Sequence, residues 1–162
     1  MEQNIFFFCI FVSLVHTSNA ACPDGFAPFG GRCLYVPPDS YFLYQQAKDA
    51  CANNNSKPAS LPDPETYYFA ITLSYKHKHD YLWIGLEHDS SDYKWLDGSP
   101  YSWSSWGQNS QNPARSTAID TAKNFLESRG FGAGVVCQSD TAGRKVYFEY
   151  FKLLNLMLKP SK

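Results

Sequence analysis

Four cysteines spread along the chain constrain its fold more than any other feature of the sequence. They are Cys22, Cys33, Cys51 and Cys137, and a fifth, Cys9, lies in an apolar N-terminal run. None of the four is spaced as Cys-x-x-Cys, so a zinc site is not indicated. An even number of cysteines in an oxidising compartment predicts two disulfides, and the sequence alone permits three pairings. We therefore expect a domain stapled by disulfides.

The N-terminus is typical of a secretory signal peptide at residues 1–20. Residues 5–15 are apolar and precede Ser18-Asn19-Ala20, which resembles a cleavage site. Residues 1–4 carry no Lys or Arg, so an uncleaved membrane anchor is the alternative. An apolar helix of this length rises only about 16 Å against a hydrocarbon core of about 30 Å, which favours secretion. We expect an extracellular protein.

Bulk composition excludes some classes of protein. A length of 162 residues favours one domain, and the net charge of −1 provides no basic field for nucleic acid. Aromatic residues make up 17% of the chain, which is too much apolar surface for a disordered protein. We expect a folded domain that does not bind nucleic acid.

The first half of the chain predicts a hairpin followed by two helices. The hairpin turns at Gly30-Gly31, and a Cys22–Cys33 bond would clamp its arms. Asp39 or Ser40 is placed to cap a first helix with Tyr44, Ala47 and Cys51 on its buried side. Asp63-Pro64-Glu65 predicts the start of a second helix, whose inner side carries Tyr67, Ala70, Ile71 and Ser74.

Strand patterns follow, and then a further helical pattern. Alternation from residue 81 predicts one strand, residues 93–96 predict a second, and Asp97-Gly98-Ser99-Pro100 predicts a turn. Residues 116–130 favour a helix, because Ser116 is a cap residue, Gly130 is a stop, and Ile119, Ala122 and Phe125 recur at helical spacing.

These segments, taken in order, resemble the long form of the C-type lectin-like domain. The resemblance rests on ASLPDPETYYFAI, WIGLEHD, YKWLDGSPYSWSSW and GVVCQ, and the domain would cover residues 21–140. It implies an α+β fold in which two helices pack on two small antiparallel sheets and a long irregular loop carries the ligand site. It also implies that the core contains Trp83, Ile84, Leu86 and Trp95.

The resemblance implies the disulfide pairing as well. In the family, the cysteine that closes the first helix bonds to one in the last strand, which corresponds here to Cys51–Cys137. Cys22–Cys33 corresponds to the additional N-terminal pair. The family's remaining pair, which pins the long-loop region, has no cysteines in this chain.

The long loop is the ligand site that the resemblance implies. The family binds calcium and sugar through Glu-Pro-Asn or Gln-Pro-Asp in this loop, with a Trp-Asn-Asp strand segment. Here the loop has Asn112-Pro113-Ala114, which lacks an oxygen ligand after the proline, and Asn109 and Gln111 are the residues placed to compensate. The candidate ligand-binding residues are therefore Asn109, Gln111, Asn112 and Pro113. A polar surface loop that holds nothing is the alternative.

Calcium dependence does not follow from this loop. The Trp-Asn-Asp segment is absent, and Asn124 and Glu127 lie near its expected distance before the last cysteine. With Asn112, they form a weak candidate set for a metal. The sequence thus suggests calcium as the candidate cofactor and assigns none.

Other candidate sites point away from catalysis. His77, His79 and Asp80 suggest a metal site, but a His-x-His pair at a polar helix end is more often solvated. Ser104-Ser105 has no Gly-x-Ser-x-Gly frame, and no free cysteine remains if both disulfides form. The sequence therefore does not predict an enzyme.

Aromatic side chains near the loop have two interpretations. Tyr101, Trp103 and Trp106 could stack on sugar rings or contact a protein. We favour the alternative that Trp103 and Trp106 fill the core beneath the loop.

The C-terminal tail, residues 141–162, extends past the expected domain. Residues 146–158 are mostly apolar with Glu149 and Lys152 near one side, which is typical of an amphipathic helix that contacts a partner or a membrane surface. Packing of the tail on the domain is an alternative. The apolar segment is too short to span a bilayer.

The sequence as a whole predicts a secreted C-type lectin-like recognition protein without catalysis. Glycan binding through residues 109–113, with calcium optional, is the leading hypothesis. A protein-interaction module that has lost the calcium site is the alternative. Contact of the tail with a membrane surface is a third and weaker hypothesis.

Overall fold

Two helices and ten short strands make up the part of the chain that the computed structural model describes, which is residues 22–38, 41–89 and 91–139. The predicted signal peptide, the C-terminal tail, Asp39 and Ser40 lie outside these residues. The helices are α1 (Tyr44–Ala52) and α2 (Pro64–Tyr75). The strands are β1 (Ala27–Phe29), β2 (Arg32–Tyr35), β3 (Lys57–Pro58), β4 (Tyr81–Trp83), β5 (Leu86–Asp89), β6 (Asp92–Trp95), β7 (Ser116–Asp120), β8 (Phe125–Arg129), β9 (Gly134–Val135) and β10 (Cys137–Ser139).

The N-terminal sheet has the strand order β1-β2-β10-β3 and is antiparallel throughout. Its first hairpin turns at Gly30 and Gly31, whose φ angles of 53° and 76° are readily adopted by glycine. A disulfide joins Cys22 to Cys33 with a Cα–Cα distance of 5.5 Å. The predicted hairpin and its clamp are both present.

The second sheet has the order β8-β7-β4-β9, and a separate pair, β5-β6, forms the third. Strands β4 and β9 are parallel, and β8 runs in the same direction as both. The chain therefore returns along the sheet between β8 and β9, because Leu126 and Gly134 both lie level with Leu82. The predicted α+β class is confirmed. The expectation of two antiparallel sheets was too simple, since there are three sheets and one of them is mixed.

Residues 116–130 do not form the helix that their spacing predicts. They form a β-hairpin, β7–β8, in which Ile119 lies opposite Leu126. In its turn, one carboxylate oxygen of Asp120 accepts hydrogen bonds from the backbone N–H groups of Ala122 and Lys123 at 3.1 and 2.9 Å. As a strand, β7 pairs with β4, and a helix could not make this pairing. Tertiary contacts therefore override the helical pattern of the local sequence.

Helix α1 starts later than predicted, after Leu43 and not after Asp39 or Ser40. The side chain of Gln46 accepts a hydrogen bond of 2.9 Å from the backbone N–H of Leu43. This interaction satisfies one of the unpaired donors at the helix N-terminus. Ala47 and Cys51 face the core, and Cys51 forms the expected disulfide with Cys137.

Helix α2 matches its sequence signals. The carboxylate of Asp63 accepts a hydrogen bond of 2.7 Å from the backbone N–H of Thr66, and Pro64 occupies the first turn. Tyr67, Ala70, Ile71 and Ser74 are buried, as predicted. Within the described residues, neither helix is long and apolar enough to cross a membrane.

The core lies between the helices and the sheets. Trp83, Ile84, Leu86 and Trp95 are buried, as the resemblance implies. The indole N–H of Trp83 donates a 2.7 Å hydrogen bond to the carbonyl oxygen of Phe42, so the largest core side chain also satisfies its polar atom. The residues after Trp95 leave this core and begin the long loop.

Candidate functional site

A half-buried ion pair anchors the start of the long loop to the N-terminal sheet. Asp97 receives a 2.8 Å bond from the guanidinium of Arg32 on β2. The same guanidinium nitrogen lies 3.0 Å from the side-chain oxygen of Gln138 on β10. Gly98 follows with φ of 78°, and Ser99 donates from its backbone N–H to Asp97. These contacts fix the position of Asp97, where the long loop begins.

The protonation state of Asp97 reflects this setting. Burial acts to raise the pKa of its carboxyl group, but hydrogen bonds from the side chain and backbone of Ser99, and from Arg32 and Ser60, outweigh it. The pKa of Asp97 therefore lies well below its ordinary value. The carboxylate stays ionised at neutral pH and acts as a structural anchor.

Aromatic side chains fill the space beneath the loop. Tyr93 lies 5.1 Å from Trp106 between ring centroids, and Trp103 meets Tyr67 edge-on at 5.3 Å. The indole N–H of Trp106 donates a 2.7 Å hydrogen bond to the hydroxyl of Tyr101. The three loop aromatics, Tyr101, Trp103 and Trp106, are partly buried against the main core. The favoured interpretation, that Trp103 and Trp106 pack on the core, agrees with these contacts.

Burial also affects Tyr67, which lies below this cluster. Its hydroxyl is buried without a hydrogen-bond partner among the described residues. Burial first, and then the neighbouring Tyr68 and Asp120, raise the pKa of this hydroxyl well above its ordinary value. Tyr67 is therefore a neutral packing residue.

The outer part of the loop, residues 107–115, is held to β8 by hydrogen bonds. The hydroxyl of Ser110 donates to the carbonyl oxygen of Leu126 at 2.9 Å, and the backbone N–H of Ser128 donates to the carbonyl oxygen of Ser110 at 2.9 Å. The backbone N–H of Asn112 donates to the hydroxyl of Ser128 at 2.7 Å. These bonds hold the outer loop to β8 without a disulfide.

All four predicted ligand-binding residues are exposed in this outer loop. Asn109 adopts a left-handed conformation with φ of 57°, which Asn tolerates better than most residues. Gln111 follows one residue after Ser110, the residue that is bonded to β8. The loop thus displays side-chain amides, which both donate and accept hydrogen bonds, on a backbone that is tied down.

The side chain of Asn112 is already engaged. Its oxygen accepts a 3.0 Å hydrogen bond from the backbone N–H of Ala114, and its backbone carbonyl accepts one from Arg115 at 3.0 Å. The Asn112–Pro113 peptide bond is trans. This arrangement is a closed local turn, in which the Asn112 oxygen is used internally.

The residues present do not fit the calcium site of the family. Glu127 pairs with Arg129 at 3.0 Å, and it precedes Ser128, so its side chain lies on the sheet face opposite to the one that Asn112 contacts. Asn124 lies exposed in the β7–β8 turn. Strand β8 begins Phe125-Leu126-Glu127, and the buried Leu126 has no side-chain oxygen. The weak candidates Asn112, Asn124 and Glu127 therefore do not form a set of ligands.

The His-x-His candidate is also separated. His79 is buried, contrary to the expectation of a solvated pair, and its Nε2 lies 3.0 Å from the carbonyl oxygen of Pro37. The rings of His77 and His79 are 6.3 Å apart between centroids. Within residues 22–38, 41–89 and 91–139, no group of three or more His, Cys, Asp or Glu side chains could hold a metal ion.

Reasoning from sequence identified the loop but missed its anchor. Asp97 was interpreted as a turn residue, and Arg32 was not singled out. An arginine inside the otherwise apolar strand Arg32-Cys33-Leu34-Tyr35 was the available signal, because such a charge requires a partner when it is buried.

Comparison with protein families gives a direct match. The model of the family described as Lectin C-type domain matches residues 43–139, more than half of the chain. The human protein named C-type lectin domain family 17, member A is 30% identical over 95 residues, which are 57% of this chain and 24% of that protein. The chain therefore spans a minor part of the length of this relative.

Solved structures share the fold. SPL-1 in its complex with GlcNAc gives a TM-score of 0.66 at 22% identity, covering 75% of this chain and 97% of that chain. A Ca²⁺-independent C-type lectin, SPL-2 from Saxidomus purpuratus, gives a TM-score of 0.64 at 22% identity, covering 74% and 94%. At these identities the likeness establishes the fold alone.

Proposed function

Because the chain belongs to the C-type lectin domain family, whose members are non-enzymatic carbohydrate-binding proteins, we propose that it binds glycans through residues 109–113 of its long loop. We propose further that this binding does not require calcium. Both proposals rest on the structure of the outer loop. The side-chain amides of Asn109 and Gln111 are exposed there on a backbone that is hydrogen-bonded to β8, and the side-chain oxygen of Asn112 accepts a hydrogen bond within the loop.

The chemistry of the loop suits sugar hydroxyl groups. A hydroxyl both donates and accepts hydrogen bonds, and so do the amides of Asn109 and Gln111. The hydrogen bonds from Ser110 and Asn112 to β8 limit the motion of the loop, which lowers the entropy lost on binding.

Calcium independence is supported by the residues and by precedent. The carboxylate of Glu127 forms an ion pair with Arg129, and the side-chain oxygen of Asn112 already accepts a hydrogen bond from the backbone N–H of Ala114. The structurally similar SPL-2 is a Ca²⁺-independent lectin, so this fold is compatible with that mode of action.

Affinity chromatography tests the proposal. The purified protein is passed over immobilised GlcNAc, mannose and galactose in calcium and in a chelator. We expect equal retention in both buffers on at least one sugar. The variant Gln111→Ala with Asn109→Gly, which preserves the left-handed backbone, should lose retention. Gln45→Ala, which removes an exposed amide from α1, is the matched control. Release by the chelator contradicts calcium independence, and absence of retention on any sugar contradicts glycan binding.

A second candidate function is binding of a protein partner. Tyr41, Leu43 and Phe131 are large apolar side chains with exposed fractions of 59%, 57% and 73%. The backbones of the adjacent Phe42 and Ala133 are hydrogen-bonded to each other, so these side chains belong to one region of the surface. Exposed apolar patches are typical of protein contacts. Loss of all sugar retention would favour this candidate.

We also propose that the protein is secreted. Its two disulfides are of the kind that persists in an oxidising compartment. Expression of the full chain in a secretory cell line should release a product beginning at Ala21 into the medium, as read by N-terminal sequencing. Retention of residues 1–20 in the cells' membrane fraction would contradict this proposal.

A further inference from the structure

A groove of about 490 Å³ lies between the N-terminal hairpin and the C-terminal half of α2. Its apolar lining includes Ala27 and Leu34 from the hairpin and Leu73 from α2. Lys76 and His77, which directly follow α2, also line it. The volume falls within the range of about 300–1,000 Å³ that is usual for small-molecule sites. None of these residues belongs to the long loop.

The walls of the groove are held in place before any ligand binds. Phe29 of the hairpin stacks on Phe69 of α2 with ring centroids 4.4 Å apart, and the Cys22–Cys33 disulfide clamps the hairpin. His79 bonds to the carbonyl oxygen of Pro37, which lies between the lining residues Val36 and Pro38. Since these contacts fix both sides, a ligand would lose little affinity in ordering them.

The charge of the groove is one-sided. Among the residues that the structure describes, its lining contains one lysine, one histidine and no carboxylate. The carbonyl groups at the C-terminus of α2 carry partial negative charge, which opposes an anion at this end of the helix. An anion in the groove therefore needs both the ammonium group of Lys76 and the ring N–H of His77 as donors. Lys76 is exposed, and His77 is half-buried, as are the apolar lining residues Ala27 and Leu73.

We propose that this groove binds a single-chain amphiphilic carboxylate, of the fatty-acid class. The alkyl chain lies along Ala27 and Leu73, and the carboxylate lies at the ammonium group of Lys76 and the imidazole of His77. Histidine donates a hydrogen bond in both of its protonation states, so it serves this role without a change of charge. Two histidines near the end of α2 then have different roles: His77 contacts the ligand, and His79 supports the wall of the groove through Pro37.

Isothermal titration calorimetry of the full chain tests the proposal with decanoate, decanol and decyltrimethylammonium, all below micelle-forming concentrations. We expect one site for decanoate, at least tenfold weaker binding of decanol, and no binding of the cation. The double variant Lys76→Gln/His77→Gln should reduce the affinity for decanoate to that for decanol. Lys78→Gln, which removes a neighbouring charge that does not line the groove, should stay within twofold of the native chain.

A second variant separates the groove from general surface charge. Thr72→Trp places a large side chain at the lining from an exposed helix position, and it should abolish binding of decanoate and decanol alike. Absence of decanoate binding to the native chain, unchanged binding in Thr72→Trp, or an equal loss in Lys78→Gln each overturns the proposal. Retention on sugar columns should be the same in all of these variants, because the long loop is untouched.

Discussion

Asp97 shows how one side chain can join parts of the molecule that are distant in sequence. Its carboxylate contacts Arg32 on β2 and the backbone of Ser99 in the loop. Gln138 on β10 reaches Arg32 and the backbone N–H of Ser60. The exposed fraction of the Asp97 side chain is 11%, so water has limited access to these bonds. The start of the long loop is thereby fixed by electrostatics at a single residue.

Replacing this carboxylate should destabilise the protein in a pH-dependent manner. Asp97→Asn keeps the size of the side chain but leaves Arg32 without its charged partner, and we expect a loss of about 1–3 kcal/mol at pH 7. The pKa of Asp97 is lower in the folded chain than in the unfolded one. Its contribution is therefore complete above about pH 4 and declines as the pH falls below that value.

Urea unfolding of both proteins between pH 7 and pH 3 measures this effect. The difference in midpoint should be constant near neutrality and should shrink in acid. Asp89→Asn is the matched control, because Asp89 pairs with Lys94 on the surface, where both side chains are more than 60% exposed. Its midpoint should equal that of the native chain. A pH-independent difference for Asp97→Asn would contradict the assigned charge state.

At the scale of secondary structure, elements differ in how far local sequence determines them. Helix α2 was predictable because Asp63 and Pro64 lie directly at its start. The β7–β8 hairpin was not, because it depends on pairing with β4, which precedes it by more than thirty residues. The same limit applies to the site: the polar residues of the outer loop are visible in the sequence, whereas their bonds to β8 are not.

Substitution of Asn124 distinguishes the hairpin from the predicted helix. In the hairpin this exposed residue has φ of 57°, where alanine is strained by about 1 kcal/mol and glycine is not. In a helix, alanine would be the better residue and glycine the worse one. We therefore expect Asn124→Ala to lower the thermal midpoint and Asn124→Gly to leave it unchanged or raise it, as measured by circular dichroism. A higher thermal midpoint for Asn124→Ala than for Asn124→Gly would contradict the hairpin and support a helix.

At the scale of the whole domain, the two disulfides join different parts of the structure. Cys22–Cys33 closes a short hairpin, whereas Cys51–Cys137 joins α1 to the strand that pairs with both β2 and β3. The outer loop has no cross-link and relies on bonds such as those from Ser110 and Asn112 to β8. Both disulfides thus hold strands of the N-terminal sheet, and the outer loop depends on hydrogen bonds.

Removing each disulfide should therefore have unequal effects. The bridged cysteines are 11 residues apart in the first case and 86 in the second. In the chain-entropy model, these separations correspond to about 3 and about 4.6 kcal/mol of stabilisation, because a longer closed loop restricts the unfolded chain more. Cys51→Ala/Cys137→Ala should lower the free energy of unfolding by more than Cys22→Ala/Cys33→Ala, by about 2 kcal/mol, in urea titrations of the oxidised proteins. Both pairs are replaced by alanine, so each variant is the control for the other. Equal losses would contradict the chain-entropy explanation, because closing the longer loop would then contribute no more than closing the shorter one.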